Sequence, residues 1–290
     1  MKKITVIVLM LFTALNYAQG IELNGTISAQ GNQIKNLQDP TEAQDAVTLS
    51  VLLEKISELQ SQISPLQATS GSGTVTDIDG NSYTYLTYGN QVWTVENAEM
   101  VTYRDGTGIP QVTEATAWAA LTTGAWCYYS NNETKGKLYN WYAVMGIHDN
   151  VESTPNKEFA PEGWHVPSNS EWTALENHLI ANGYNYDQSA TENKIGKAMA
   201  STTGWYSSTN TGAVGNDQSL NNSSGFNAFP EGSRYSSGSF GDGGYNAVFW
   251  SSNESSANNA WYSDLTNEES NLSSDDYFKQ DGFSVRFVRD

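Results

Sequence analysis

The sequence predicts a mixed α+β fold in which short strands and long irregular loops outweigh a few short helices. Three observations lead there. Aromatics make up 12% of the 290 residues, more than a disordered chain carries, and all nine tryptophans lie between Trp93 and Trp261. Runs such as SYTYLTYGNQVWTVEN alternate aromatic and polar residues, the period of a half-buried strand. Between such runs stand Ser/Asn/Gly segments, 206–224 and 251–276, which only packing onto strands can order.

The chain opens with MKKITVIVLMLFTALNYAQG, which has the three parts of a secretory signal: basic Lys2 and Lys3, an apolar run over 4–15, and a small-residue exit at Asn16-Tyr17-Ala18. The run is short for a bilayer span and no second one follows. No cysteine stands at the cleavage point to take a lipid anchor. Residues 1–18 are therefore expected to be removed, and the protein to be secreted or held at the cell surface without a membrane span. Loss of the two lysines takes the formal charge from −18 to −20. Such a chain repels phosphate backbones and anionic lipid, which argues against nucleic acid as a partner. Cys127 is the only cysteine, so no internal disulfide forms and the fold rests on its hydrophobic core.

Residues 19–48 are polar, and Ile27, Ile34 and Leu37 are too few to build a core. Asp39-Pro40-Thr41-Glu42 is a helix start: a capping Asp, Pro at the first helical position, and Glu three residues after the cap. Leu49, Leu52, Ile56, Leu59, Ile63 and Leu66 then alternate spacings of three and four up to Pro65, an a/d seam over 49–66. The seam is either an amphipathic helix lying on the globular domain or a short coiled coil joining chains, and we prefer the coiled coil. Ile at a and Leu at d favour two strands. QATSGSGT, 67–74, reads as a flexible link. One domain, 75–290, is long enough to hold the core.

Inside that domain, Gly89-Asn90 between two alternating runs predicts a hairpin. AWCYY, AVFWSS and GFSVRFVRD read as further strands, and 118–121, 171–180 and 193–200 as helices. GWHVPSNSEW, 163–172, crowds two tryptophans, a histidine and a proline ahead of a helix start. Ser168 and Glu171 make a capping box, and Trp172, Leu175 and Leu179 form one helical stripe. Pro167 keeps Val166 extended. Glu171 is thus engaged by its own backbone, and His165 is expected to be packed and hydrogen-bonded rather than catalytic.

The chemistry-bearing residues form no familiar constellation. His148, His165 and His178 are 17 and 13 residues apart, without HExxH or a Cys partner, and no GxSxG elbow occurs. Cys127 alternates with aromatics in AWCYY and is expected in the core. Asp and Glu are plentiful and acid pairs need no local spacing, so a carboxylate-based hydrolase stays open as a minor reading. No cofactor is expected. Asp77, Asp79, Gly80 and Asn81 resemble the opening of a calcium loop without its remainder, and a tight turn is the better reading. Arg286 and Arg289 are expected to lock acidic loops onto the last strand. The best ligand-binding candidates lie in FWSSNESSANNAWYSDL, where aromatics interleave with Ser and Asn in the manner of recognition loops. With Trp250 half core, they are Asn253, Asn258, Asn259, Trp261 and Tyr262.

DIDGNSYTYLTYGNQVWTVEN, AWCYYSNNETKGKLYNWYAV, APEGWHVPSNSEWTAL, SGFNAFPEGSR, FWSSN and SVRFVRD follow one another in the order of the Fibrobacter succinogenes major paralogous domain, which the segment 75–290 resembles. That resemblance implies an exported or surface-bound bacterial protein without an established activity. GWHVPSNSEW and the closing SVRFVRD are also remotely similar to the formylglycine-generating group, which implies a C-type-lectin-like globular domain. The oxidase chemistry of that group needs late cysteines, which are absent here, as are the EPN and WND calcium-sugar signatures. QGNQIKNLQDPTEAQDAVTLSVL resembles the neck repeats of phage tail fibres, which implies a trimer rather than a dimer. Together these readings describe a non-enzymatic homo-oligomeric binding or adhesion protein for a glycan or surface protein; the alternative is a structural surface or matrix protein. Light scattering on residues 19–290 is expected to give three times the monomer mass, and on 75–290 the monomer mass. Equal monomeric mass for both would remove the stalk.

Overall fold

A computed structural model describes residues 72–290. The signal, neck and coiled-coil readings fall before this range and lie outside the described residues. The first strand, β1 (Gly73–Thr76), occupies the end of the segment read as a link and pairs antiparallel with β2 (Ser82–Tyr88). β2 turns through Gly89-Asn90 into β3 (Gln91–Thr94), the expected hairpin, with Tyr88 opposite Gln91. Gly89 is required there twice over: its φ is +61°, and a Cβ on it would lie 2.9 Å from the His178 ring.

The remaining strands are β4 (Trp126–Tyr128), β5 (Lys137–Asn140), β6 (Trp164–His165), β7 (Ser233–Arg234), β8 (Phe240–Gly241), β9 (Asn246–Glu254), β10 (Asn259–Thr266), β11 (Ser273–Phe278), β12 (Gly282–Phe283) and β13 (Val288–Arg289). They build three sheets, ordered β1-β2-β3-β13-β6, β4-β5-β12-β7-β8 and β11-β10-β9. The helices are short: α1 (Ala115–Ala119), α2 (Trp141–Val144), α3 (Asn169–Ala181) and α4 (Gly196–Met199). The fold is therefore α+β with sheet dominant. Helix α2 was not expected, because LYNWYAV has the aromatic content of a strand; Asn140 starts it by accepting the Ala143 amide with its side chain.

GFSVRFVRD is not one strand. β12 sits between β5 and β7 in one sheet and β13 between β3 and β6 in another, so the closing segment stitches two sheets together. On the way, Ser284 exchanges backbone hydrogen bonds with β9: its amide donates to Val248 and its carbonyl accepts from Trp250.

Strand alternation on β9 divides the interior. Val248 and Trp250 face a core with Trp126, Trp141, Trp164, Tyr139 and Phe283, while Ala247 and Phe249 face a second core with Trp93, Trp172, Leu175, Leu179 and Phe226. A small third core holds Trp118, Cys127 and Leu138. Eight of the nine tryptophans are buried, which leaves Trp261 as the one with a substantial face to offer.

Two arginines are fully buried within this frame. Arg286 donates to Asn97 Oδ1 (2.6 Å) and to the carbonyls of Thr94, Phe226 and Asn227, between the rings of Phe226 and Phe249. The expected lock on acidic loops is corrected here. The loops are held, but through peptide oxygens that would otherwise be buried without donors, and no carboxylate takes part. Arg289 is exposed and lies over the Tyr85 ring. Replacing Arg286 by Met strips four acceptors of their donor, two of them in buried hydrogen bonds, and should cost on the order of 3 kcal/mol or more in denaturant unfolding. Arg289→Met should stay within about 0.5 kcal/mol of the unaltered chain. A small effect at Arg286 would contradict its structural role.

Candidate functional site

β10 carries the two aromatic residues expected to contact a ligand, and their adjacency separates them. Successive residues of a strand face opposite sides. Tyr262 stands opposite Trp250 of β9 and Asp275 of β11, whereas Trp261 stands opposite Asp276. Both are half-buried. Asn258 and Asn259 come together at the tip of the β9–β10 hairpin. Asn258 is exposed and its carbonyl accepts the Lys279 amide, while Asn259 donates its side-chain amide to Asp276 at 2.9 Å. Asn253 is exposed, but its side-chain oxygen accepts the amide of Asn169, the first residue of α3. Of the five, Tyr262 borders a hollow.

That hollow, about 210 Å³, lies on the Tyr262 side of the three-stranded sheet. Strand alternation supplies one wall: Tyr262 and Asp264 of β10, Asn246 and Val248 of β9, Tyr277 of β11. Tyr235, Asp242, Asp281 and Phe283 complete it. The Tyr262 ring meets Phe283 at 5.3 Å and 62°, and Tyr277 at 6.5 Å and 69°. The Tyr262 ring thus packs edge-to-face with both of these neighbours beside the hollow, with Tyr277 exposed at the rim.

The carboxylates divide by environment. Asp242 Oδ2 accepts the Tyr235 hydroxyl at 2.9 Å. Asp264 is 7% exposed, and its carboxylate has no hydrogen-bond partner among the described residues. Asp281 is fully buried; Oδ1 accepts the Ser236 amide at 2.6 Å and Oδ2 has no partner. No Lys or Arg lines the hollow. Burial, reinforced by the charges of Asp275 and Asp242, pushes the Asp264 carboxyl up to about 6. Burial pushes Asp281 up to about 7, against the opposing pull of the Ser236 amide. Burial also raises the Tyr262 hydroxyl, with Asp264 the next contributor. These aspartates escaped sequence reasoning. The alternation of WYSDL would have placed Asp264 beside Tyr262; nothing in KQDGF marks Asp281.

Residues that look more chemical have structural partners. Ser168 and Glu171 form the expected capping box at the start of α3, and Trp172, Leu175 and Leu179 are buried as expected. The second oxygen of Glu171 meets His165 Nε2 at 2.7 Å, while His165 Nδ1 meets Asp290 at 2.6 Å. Burial lowers the His165 pKa, but the two carboxylates outweigh it and the net shift is upward, so the ring is an ion-pair bridge. Cys127 is buried, its thiol pushed up to about 11 by burial. Asp77 accepts from the Asn81 backbone and side chain and from Tyr83, and Asp79 Oδ2 accepts the amides of Val101 and Thr102. Asp77 to Asn81 is thus a turn tied by its own carboxylates. Among the described residues no group of three or more His, Cys, Asp and Glu is placed to hold a metal ion, and no helix is long and apolar enough to cross a membrane.

A family model described as the Fibrobacter succinogenes major domain matches residues 86–289. No curated protein matches. No solved structure matches either.

The raised Asp281 carboxyl fixes a pH signature. The folded chain holds that proton more tightly than the unfolded chain does, so its contribution to stability is greatest below about pH 4 and declines as pH rises through about 7. Asp281→Asn keeps an acceptor for Ser236 and removes the ionisation. Its stability relative to the unaltered chain should rise by roughly 3 kcal/mol between pH 4 and 8 in thermal or denaturant unfolding. A difference that does not change with pH would mean the carboxylate is solvated.

Proposed function

The chain belongs to the Fibrobacter succinogenes major domain family, and from that membership and the hollow beside Tyr262 we propose an exported binding protein whose head recognises a glycan. One observation carries the reading: aromatic faces and hydrogen-bond-hungry carboxylates converge on a single space. The C–H faces of a sugar ring stack on tyrosine, and its hydroxyls are donors of the kind that Asp264 lacks among the described residues. At about 210 Å³ the hollow is smaller than the ~300–1,000 Å³ of drug-sized sites. It suits one ring of a longer chain, with the exposed Asn258 and the half-buried Trp261 available to neighbouring units.

The reading is non-catalytic. The histidine, thiol and glutamate that would serve as base or nucleophile are each held in structural contacts. Adhesion through several heads follows from the trimeric, tail-fibre-like neck expected over 19–66, because linked weak sites gain by effective concentration. The C-type-lectin-like assignment rests on the remote likeness of GWHVPSNSEW and SVRFVRD and stays part of this proposal, as do the signal sequence and the surface address. The rival is a structural matrix protein without a soluble ligand. A glycan array probed with residues 19–290 separates the two. Binding to a defined glycan is expected, with Tyr262→Ala lowering it about tenfold or more, the scale of one aromatic contact. Repeated failure to bind any glycan favours the matrix protein, and release of free sugar would instead establish a hydrolase.

A further inference from the structure

The walls of the hollow are one-sided in charge. Asp242, Asp264 and Asp281 line it, Asp275 adds its field to Asp264, and no basic side chain faces them. Two of these aspartates are more than nine-tenths buried as residues: the Asp264 carboxylate lines the hollow with no hydrogen-bond partner among the described residues, and Asp281 has its Oδ2 buried without one. A buried carboxylate without a counter-charge is costly, so the group holds its proton more tightly until an opposite charge is supplied. The cations nearest in sequence are committed elsewhere. Lys279 is paired with Glu254 and lies over Trp141, and Arg234 is spent on the carbonyls of Val112, Thr113 and Gly238.

The missing charge belongs to a ligand, and the walls indicate its kind. A metal ion needs three or more oxygens converging at short range, and the described residues place no such group together. An organic ammonium is instead held against the face of an aromatic ring, which carries partial negative charge. Tyr262, Tyr277 and Phe283 line the hollow beside the aspartates, which supply the acceptors. Resting on the glycan reading above, we propose that the hollow takes an amino sugar, seating its free ammonium between Asp264, Asp281 and the Tyr262 ring. The remaining hydroxyls of the ring reach Asp242 and Asn246. Uptake of the cation favours the ionised form of the two buried aspartates, so binding releases protons from them.

Calorimetric titration of residues 19–290 with a glucosamine oligomer and with the same oligomer N-acetylated tests this at about pH 7, where both charge partners are ionised to a useful degree. The free-amine oligomer should bind at least about tenfold more tightly. Asp264→Asn should remove most of that preference, while Tyr277→Ala, altered at an exposed rim, should weaken both without moving the melting temperature. Equal affinity for the two oligomers overturns the amine and leaves the glycan reading standing. Failure of both oligomers, with other glycans bound on the array, also overturns the amine. Failure of every glycan removes the glycan reading itself. Preference for a lysine-bearing peptide over the amino sugar overturns the sugar.

Discussion

Everything in this fold depends on finding donors for the carbonyls of loops that belong to no helix or sheet. A buried peptide oxygen without a partner is destabilising by an amount that a domain with marginal stability cannot carry many times over. Long connecting segments multiply such oxygens. The chain answers with a few multi-donor side chains driven into the interior. Arg286 ties the β3 end and the Phe226 loop to the closing segment. Arg234 gathers Val112, Thr113 and Gly238 while stacking on Trp118 and Phe240. Arg104 collects the carbonyls of Ala160, Pro161 and Trp164. Asn185 does the same on a smaller scale for Ser189, Thr191 and Glu192. Guanidinium suits the task because its five donors lie in a fixed plane, so several carbonyls are served without flexible side chains being ordered one by one.

This use of arginine shapes the electrostatics of the surface. The chain has 14 basic residues against 32 acidic ones, and three of its four arginines are consumed by peptide oxygens, which neutralise no charge. Few cations are left to face carboxylates. Some lysines do so, as Lys137 does with Glu99 and Lys157 with Asp105, but the aspartates around Tyr262 are left with aromatics and one another. Burial raises the Asp264 and Asp281 carboxyls first, and at Asp264 the charges of Asp275 and Asp242 add to it.

The parts of this organisation that are written in short stretches were legible. Ser168 to Glu171 states a capping box in four letters, and Gly89-Asn90 between alternating runs states a hairpin, because the interactions close within a few residues. Helix α2 was hidden, since its start rests on Asn140, whose side chain also accepts the Ala125 amide from another strand. GFSVRFVRD was legible as extended chain but not as a crossing between two sheets, because strand pairing is decided by distant partners. The hollow was the least legible. Tyr235, Tyr262, Tyr277 and Phe283 converge from four strands or their flanks, and only Tyr262 stood out as a ligand-facing residue in the sequence.

Satisfaction of bonding capacity then separates scaffold from site more reliably than residue type. His165, Glu171, Asp77 and Cys127 are the residues a chemist would choose first, and each has its capacity used: an ion-pair bridge, a helix cap, a tied turn, a packed thiol. A group whose hydrogen bonds are all made within the fold can bind something new only by giving one up. Asp264, whose carboxylate lines the hollow without a hydrogen-bond partner among the described residues, gives up nothing when a donor arrives, and it stands beside Tyr262. The folded state keeps Asp264 and Asp281 at raised pKa values because burial penalises their charged forms, and under the reading proposed above it is the unremarkable WYSDL that would meet a ligand while GWHVPSNSEW carries the frame.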